Sequence, residues 1–522
     1  MLRKLRILFA VLFFCAVVAL FLDFTGTAHA WFGWVAKAQF LPALMAANFA
    51  VVAALAVLTL LLGRIYCSVI CPLGVFQDIV SYFAGRKKRN RFSYAPAKTP
   101  MRAAFLAAFV VLAASGFLHI AALVAPYSAF GRMASNFLAP LWALGNNLLS
   151  LLSEKLDSYA FYPVEVYFKG LGIFAVALAT FAVVAVLAWR GGRTYCNTVC
   201  PVGTILGFLA KFSLFKPVID TSKCNSCGLC ARNCKAKCIN SKEHKIDYSR
   251  CVDCFDCIGK CRNSAISYSA RRPAKTAPKA AAGASPKNAS KVSAVKSGSK
   301  SNFGAEAAMA KFGTNTRRGF FTAMFTLAST AVSEAAEKTV DGGLAPLKKR
   351  QRPQRACPIT PPGSHSAANV AQKCTACQLC VSACPSHIIV ASPRLSKFMQ
   401  PEISYEHGYC AVDCVECSKV CPAGAIEPIT PAQKSALQIG RAVWHSDRCI
   451  VNTDNMPCDN CFRQCPSGAI SMVAKDPKNP KSPKVPVVDE ARCLGCGACE
   501  NLCPARPLAA MCVEGVSVHN SI

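Results

Sequence analysis

Four runs of almost unbroken apolar residues occupy the first 190 positions of this 522-residue chain, at 7–22, 41–62, 103–125 and 170–189. Each is close to the ~20 residues that a helix needs to cross a bilayer. The charged start (Arg3, Lys4, Arg6) and the stretch Ala28-His29-Ala30 would also suit a signal peptide. The three runs that follow favour a first membrane helix instead. Basic residues bracket the runs unevenly. Arg86, Lys87, Lys88, Arg89 and Arg91 follow the second run, and Arg190 and Arg193 follow the fourth. By the positive-inside rule, the N-terminus and the ends of runs two and four face the cytoplasm.

Beyond position 210 the apolar runs give way to short polar segments rich in cysteine. A first such module spans 211–269. Residues 270–314 form a basic linker, whose stretch 270–301 is Ala/Lys/Pro/Ser-rich and holds no Asp or Glu. A segment at 315–340 follows, then a second cysteine-rich module at 341–522. The predicted fold class is multi-domain. It combines an α-helical membrane domain (1–210) of four spans, with 315–340 as an optional fifth, and two α+β ferredoxin modules of the bacterial type, with two and four clusters.

Composition sharpens this. The chain is 53% hydrophobic and carries 32 cysteines, far too many for an ordinary cytosolic protein and too clustered for a disulfide scaffold. The first module contains Cys224, Cys227, Cys230, Cys234 and Cys251, Cys254, Cys257, Cys261, both C-x2-C-x2-C-x3-C. Three closely spaced thiolates wrap three corners of a cubane, and the fourth ligates the partner cluster. Cys224, Cys227, Cys230 and Cys261 are thus expected on one [4Fe-4S] cluster, and Cys251, Cys254, Cys257 and Cys234 on the other.

The second module has four sets: Cys374, Cys377, Cys380, Cys384; Cys410, Cys414, Cys417, Cys421; Cys449, Cys458, Cys461, Cys465; and Cys493, Cys496, Cys499, Cys503. In these the last cysteine precedes Pro385, Pro422, Pro466 or Pro504, which disfavours helix at the cysteine. In the first module Lys235 and Arg262 stand there instead. Five residues after each last cysteine comes an aliphatic residue: Ile239, Ile266, Ile389, Ile426, Ile470 and Leu508. These are expected to be apolar lids. Zinc ribbons would need paired C-x2-C knuckles rather than six four-cysteine runs. Cys238 falls in a slot held by Ala265, Ala425 and Ala469 elsewhere and reads as a bystander, as do Cys15, Cys357 and Cys512. An exported tail could join Cys357 to Cys512 in a disulfide. No C-x-x-C-H motif for c-type haem is present, nor a nucleotide-binding or hydrolase signature.

The formal charge is +32. Six [4Fe-4S]²⁺ cores on 24 thiolates would bring it to about +20. Much of the excess flanks apolar runs or sits in the linker, so topology and anionic lipid explain it better than nucleic acid does.

The ends of runs two and four repeat one motif. Gly63-Arg64-Ile65-Tyr66-Cys67-Ser68-Val69-Ile70-Cys71-Pro72-Leu73-Gly74 aligns with Gly192-Arg193-Thr194-Tyr195-Cys196-Asn197-Thr198-Val199-Cys200-Pro201-Val202-Gly203. The membrane domain therefore reads as a duplicated two-helix unit. Cysteines four apart share one helix face. Cys67, Cys71, Cys196 and Cys200 could shape a quinone site, act as redox dithiols, bind metal, or simply pack as small residues.

Four spans, two C-x3-C-P motifs and a two-cluster module resemble the NapH-type membrane subunit of periplasmic nitrate reductase systems. The twin-arginine stretch Arg317-Arg318, then Pro361-Pro362-Gly363 and four cluster motifs, resemble the companion NapG/MauM-type polyferredoxin. The chain looks like a fusion of the two. The resemblance implies a quinol dehydrogenase of the bacterial inner membrane. Its first module would be cytoplasmic and its second periplasmic, and six [4Fe-4S] clusters would carry electrons from a membrane quinol to a periplasmic c-type cytochrome or reductase. Two rivals stand beside it. One keeps both modules inside and exchanges electrons between ferredoxin and quinone. The other is a metal-reducing assembly factor of the CcoG type, which also carries C-x3-C-P. Analogy with other four-cluster ferredoxins pairs the first outer set with the fourth and the second with the third. His29, His119, Asp23 and Glu165 lie near expected membrane faces where quinol protons must go, and none is assigned.

The twin arginines and the weakly apolar stretch 320–336 have the order of an export signal lodged inside the chain. Replacing both (Arg317→Lys with Arg318→Lys) should trap a reporter fused after Cys503 on the cytoplasmic face, while the parent chain carries it outside. Cytoplasmic reporter activity in the parent chain would sink the export reading.

Overall fold

The computed structural model describes residues 2–23, 25–85, 92–158, 160–164, 166, 170–270, 340–341, 345–346, 350–479 and 482–522. The chain divides into two compact units, 1–271 with 350–522, and 272–349. Of the smaller unit, two short antiparallel strands are described, Val340–Asp341 and Ala345–Pro346. The twin arginines and nearly all of the linker lie outside the described residues.

The larger unit begins with helix α1 (Leu2–Leu22), followed by α2 (Thr27–Lys37), α3 (Phe40–Met45) and α4 (Phe49–Leu62). After α4 come α5 (Ile65–Val69) and α6 (Pro72–Gly85). Next are α7 (Thr99–Ala114), α8 (Leu118–Ala121), α9 (Pro126–Met133), α10 (Ala139–Glu154) and α11 (Leu171–Gly191). The repeat closes with α12 (Thr194–Thr198) and α13 (Pro201–Ala210). Among the described residues, α1 and α11 are the two helices long and apolar enough to cross a membrane.

The second and third expected spans are not single helices. The second breaks at Ala47 (φ 52°), and Asn48 caps a new helix by accepting the Val51 amide at 3.2 Å. The third ends at Ala114, and Gly116 (φ 84°) turns the chain into α8. Pro126 then opens α9, whose eight residues are all buried. A π-helical turn, Ala134–Leu138, joins α9 to α10. Apolar runs alone do not reveal such breaks, because a helix that re-enters the interior is as hydrophobic as one that spans.

The duplicated motif folds the same way twice. Helices α4 and α11 end on Gly63 (φ 76°) and Gly192 (φ 66°). Both glycines also meet the first ferredoxin module closely. A Cβ at Gly63 would lie 2.3 Å from Asp253 Oδ2, and one at Gly192 would lie 2.4 Å from the Lys235 carbonyl. Each chain then turns back through a short helix, α5 or α12. Cys71-Pro72 and Cys200-Pro201 open the return helices α6 and α13, with proline at the first helical position, where its missing N–H costs nothing.

The first module closes on an antiparallel pair, Phe215–Ile219 with Ile266–Ala270. In the second, Ile389–Ala391 pairs with Pro401–Ile403, Ile470–Ala474 with Lys484–Val488, and Leu437–Trp444 with Met511–Ser521 across a bulge.

The two modules sit at opposite ends of α1. At its start, Arg3 pairs with Asp256 at 2.7 Å. At its end, Phe21 packs beside Gly131, whose would-be Cβ lies 2.3 Å from the Cys377 carbonyl. Ser135 and Asn136 donate to Gln378 Oε1 at 2.7 and 3.0 Å on that side.

A buried ion network holds the first end. Asp78 on α6 pairs with Arg6 of α1, with Arg193 (2.9 Å) and with Lys235 of the first module (3.6 Å). Lys235 goes on to Asp256 at 3.0 Å. Removing one partner of a buried pair strands the other charges. Asp78→Asn should therefore cost about 3–5 kcal/mol, read as a lowered Tm of the detergent-purified protein.

Candidate iron–sulfur and thiol sites

In all four regular sets, the two residues that flank the middle turn adopt left-handed backbone. They are Ser226 and Gly228, Asp253 and Phe255, Ala376 and Gln378, Gly495 and Gly497, with φ between 47° and 82°. Five of the eight are non-glycine residues, for which the left-handed region costs roughly 1–2 kcal/mol each. The strain bends three thiols around one centre and turns backbone N–H groups toward it, the kind of concavity that binds anionic clusters.

The structure brings the 24 cysteines together in groups. Cys224, Cys227, Cys230 and Cys261 line one pocket, and Cys234, Cys251, Cys254 and Cys257 another. Cys374, Cys377 and Cys380 share a pocket with Cys421, and Cys449, Cys458 and Cys461 share one with Cys503. Cys384 is buried beside Cys410, Cys414 and Cys417, and Cys465 lies close to Cys493 and Cys496, which adjoin Cys499. The pairing drawn from analogy is therefore corrected. The first outer set exchanges its last cysteine with the second, and the third with the fourth, so each exchange is between neighbours in sequence.

The proline-free exit of the first module is the same as the proline-bearing one. Cys261 has φ −77° and ψ 109°, and Cys421 has φ −67° and ψ 113°. Ile239, Ile266, Ile389, Ile426 and Ile470 are buried as lids. Leu508 is not. In its set the strand starts only at Met511, and Ala510 and Met511 line the pocket instead. Cys238 lines the pocket of Cys234, with its Sγ 3.5 Å away. Its hydrogen bond holds the Cys234 thiol down at about 7. Cys15 is exposed, and Cys357 and Cys512 are separate free thiols.

Cys67, Cys71, Cys196 and Cys200 are all buried, between 3% and 4% exposed. Each stands within electrostatic reach of the other three. The two repeats clasp each other crosswise. Arg64 of the first donates to the Cys196 carbonyl (3.4 Å) and the Cys67 sulfur (3.6 Å). Arg193 of the second donates to the Cys67 carbonyl at 2.6 Å. Gln77 Nε2 lies 3.1 Å from the Cys196 sulfur, and the Gly203 amide donates to Cys200 at 3.3 Å. Among the described residues, no three Cys, His, Asp or Glu side chains converge tightly enough to hold a single metal ion.

Sequence reasoning missed one pairing. Asp23 accepts the backbone N–H of His29 at 3.0 Å and lies 2.9 Å from its Nδ1, with both side chains buried. The other ring nitrogen, Nε2, is buried without a hydrogen-bond partner. Burial raises Asp23, but the bonds from His29 and Thr25 outweigh it and hold the carboxyl below its usual range. His119 Nε2 lies 3.3 Å from the Leu395 carbonyl of the second module, and Glu165 lies outside the described residues.

Residues 44–91 and 173–219 match a family model described as a 4Fe-4S binding domain. Residues 373–425 and 456–506 match one described as a 4Fe-4S dicluster domain. The methylamine utilization ferredoxin-type protein MauM of Methylobacillus flagellatus is 30% identical over 169 residues, 31% of this chain and 70% of the relative. The chain belongs to this ferredoxin-type iron–sulfur family. An uncharacterized Methanocaldococcus jannaschii protein is 38% identical over 109 residues, and YccM of Escherichia coli is 26% identical over 237 residues. These matches cover 20% and 45% of this ferredoxin-type chain, which spans only 44% and 59% of those two relatives. No solved structure matches it.

The neighbour exchange is open to test. Cys421→Ser should abolish the same electron paramagnetic resonance signal as Cys374→Ser, and Cys384→Ser should abolish the one lost in Cys410→Ser. Each variant should lose about four irons per chain.

Proposed function

We propose that the chain is a quinol dehydrogenase of the bacterial inner membrane that passes electrons through six [4Fe-4S] clusters to a periplasmic c-type cytochrome or reductase. The four-cysteine groups above are the ligand sets, and each cluster, when bound, takes up or releases one electron. The observation that carries the reading is the separation of the two ferredoxin modules along α1. That helix has 21 residues, a length of about 30 Å, which is the thickness of a bilayer's hydrocarbon core. Exposed Leu, Val and Phe side chains on α1, α4, α7 and α11 suit contact with lipid.

Quinol oxidation also needs a proton acceptor, and the Asp23–His29 pair fits. The carboxylate fixes the imidazole through Nδ1, which leaves Nε2 free to accept a proton from a quinol hydroxyl. The pair adjoins the second module, where a Cβ at Gly26 would lie 3.7 Å from Glu416 Oε2. Electrons and protons would then leave at the same end. That adjacency favours this reading over one in which both modules face the cytoplasm.

Anaerobic protein mixed with menaquinol or ubiquinol should show reduction of its clusters. His29→Gln should slow that reduction by roughly 10²–10⁴-fold and leave reduction by dithionite unchanged. Clusters that dithionite reduces and neither quinol does would overturn the assignment.

A further inference from the structure

The four membrane thiols belong to none of the six ligand groups. They are buried, mutually close, and contributed two by two from repeats related by the duplication. Each segment matching the 4Fe-4S binding description, 44–91 and 173–219, contains just two cysteines. Neither segment alone can ligate a cubane, but together they can.

The charges around them point the same way. Arg64 and Arg193 are both wholly buried. Arg193 has Asp78, but Asp78 is already shared with Arg6 and Lys235. The Arg64 guanidinium makes no ion pair among the described residues. Its acceptors are Asn197 Oδ1, the carbonyls of Ser249 and Cys196, and the Cys67 sulfur. Its Nε is buried without a partner. The nearby Asp253 carboxylate is engaged by the Arg64 backbone N–H at 2.8 Å rather than by the guanidinium, and a buried cation whose guanidinium meets only neutral acceptors gains from further negative charge beside it. Four thiolates around a [4Fe-4S]²⁺ core carry a net charge of about −2, which two arginines would balance.

The local geometry also matches that of the ferredoxin sets. Cys200 leaves at φ −67° and ψ 119°, directly before Pro201, as Cys421 leaves before Pro422. The Cys200 sulfur also accepts the Gly203 N–H at 3.3 Å, as the cap of α13.

We infer that Cys67, Cys71, Cys196 and Cys200 are the ligands of a further [4Fe-4S] cluster, built by the two repeats inside the membrane domain. One continuous buried core contains Cys67, Cys71 and Cys200. It also reaches Val252 and Cys254 of the first module and Cys377 and Cys380 of the second. From there the cluster can take one electron from a reduced cluster of one module, its core falling from 2+ to 1+, and return to 2+ by reducing a cluster of the other. The ligation does not depend on quinol being the electron donor.

The test uses the full chain, purified anaerobically in detergent. Parent protein should contain about four irons and four acid-labile sulfides more per chain than the ferredoxin sets account for. Replacing all four cysteines with serine should remove that increment and spare the other paramagnetic signals. Unchanged iron in a variant with the parent Tm would overturn the inference. Should the variant fail to fold, the iron and acid-labile sulfide of the parent protein decide: about 28 of each per chain are expected, and about 24 would exclude the further cluster. Quinol turnover enters neither measurement, so this inference and the proposed activity can fail separately.

Discussion

A guanidinium placed deep in an apolar interior must find negative charge, and much of this molecule is arranged around that demand. Arg6 and Arg193 converge on Asp78, which ties α1, α6 and the second repeat to Lys235 of the first module. Arg132 on α9 is wholly buried and, among the described residues, donates to the Ala122 and Leu123 carbonyls, within electrostatic reach of Cys377. Arg64 is in the same position beside Cys67. Buried ionic groups of this kind stabilise little unless every charge is matched. Asp78 matches two of these cations, and Arg64 and Arg132 stand instead beside Cys67 and Cys377.

The cysteine spacing made most of the ferredoxin chemistry legible. Three ligands a few residues apart can reach one cubane only if the loop takes left-handed turns, and Ser226, Asp253, Ala376 and Gln378 take them without glycine to help. The Gly-Arg-x-Tyr-Cys repeat was equally clear, because its glycines and prolines have fixed backbone duties and its arginines donate across to the other repeat. What spacing does not encode is the partner set that receives each fourth ligand. That depends on how the short helices pack, and neighbouring sets won. Leu508 failed as a lid for a related reason, since its strand starts later than in the other sets.

The N-terminal helical domain was less legible than the modules. Hydropathy marks residues that leave water, whether they enter lipid, a re-entrant turn or a protein interface. The breaks at Asn48 and Gly116 and the burial of α9 rest on tertiary packing, which no window of apolar residues reports. The Asp23–His29 contact was hidden in the same way. Each residue alone is an ordinary interfacial group, and only the turn after α1 puts the carboxylate against the ring.

The crosswise clasp of the two repeats has an implication for descent. Arg64 finds its acceptors on the second repeat, and Arg193 finds its own on the first. One copy of the unit offers two thiols and an arginine that reaches across to the other copy's first cysteine carbonyl, so by itself it is an incomplete half. Two identical copies related by a two-fold axis would complete it, as self-complementary dimers do. The domain thus has the form of an ancestral homodimer sealed into one chain. The two halves differ at aligned positions, with Gln77 and Asp78 in the first repeat where the second has Leu206 and Gly207.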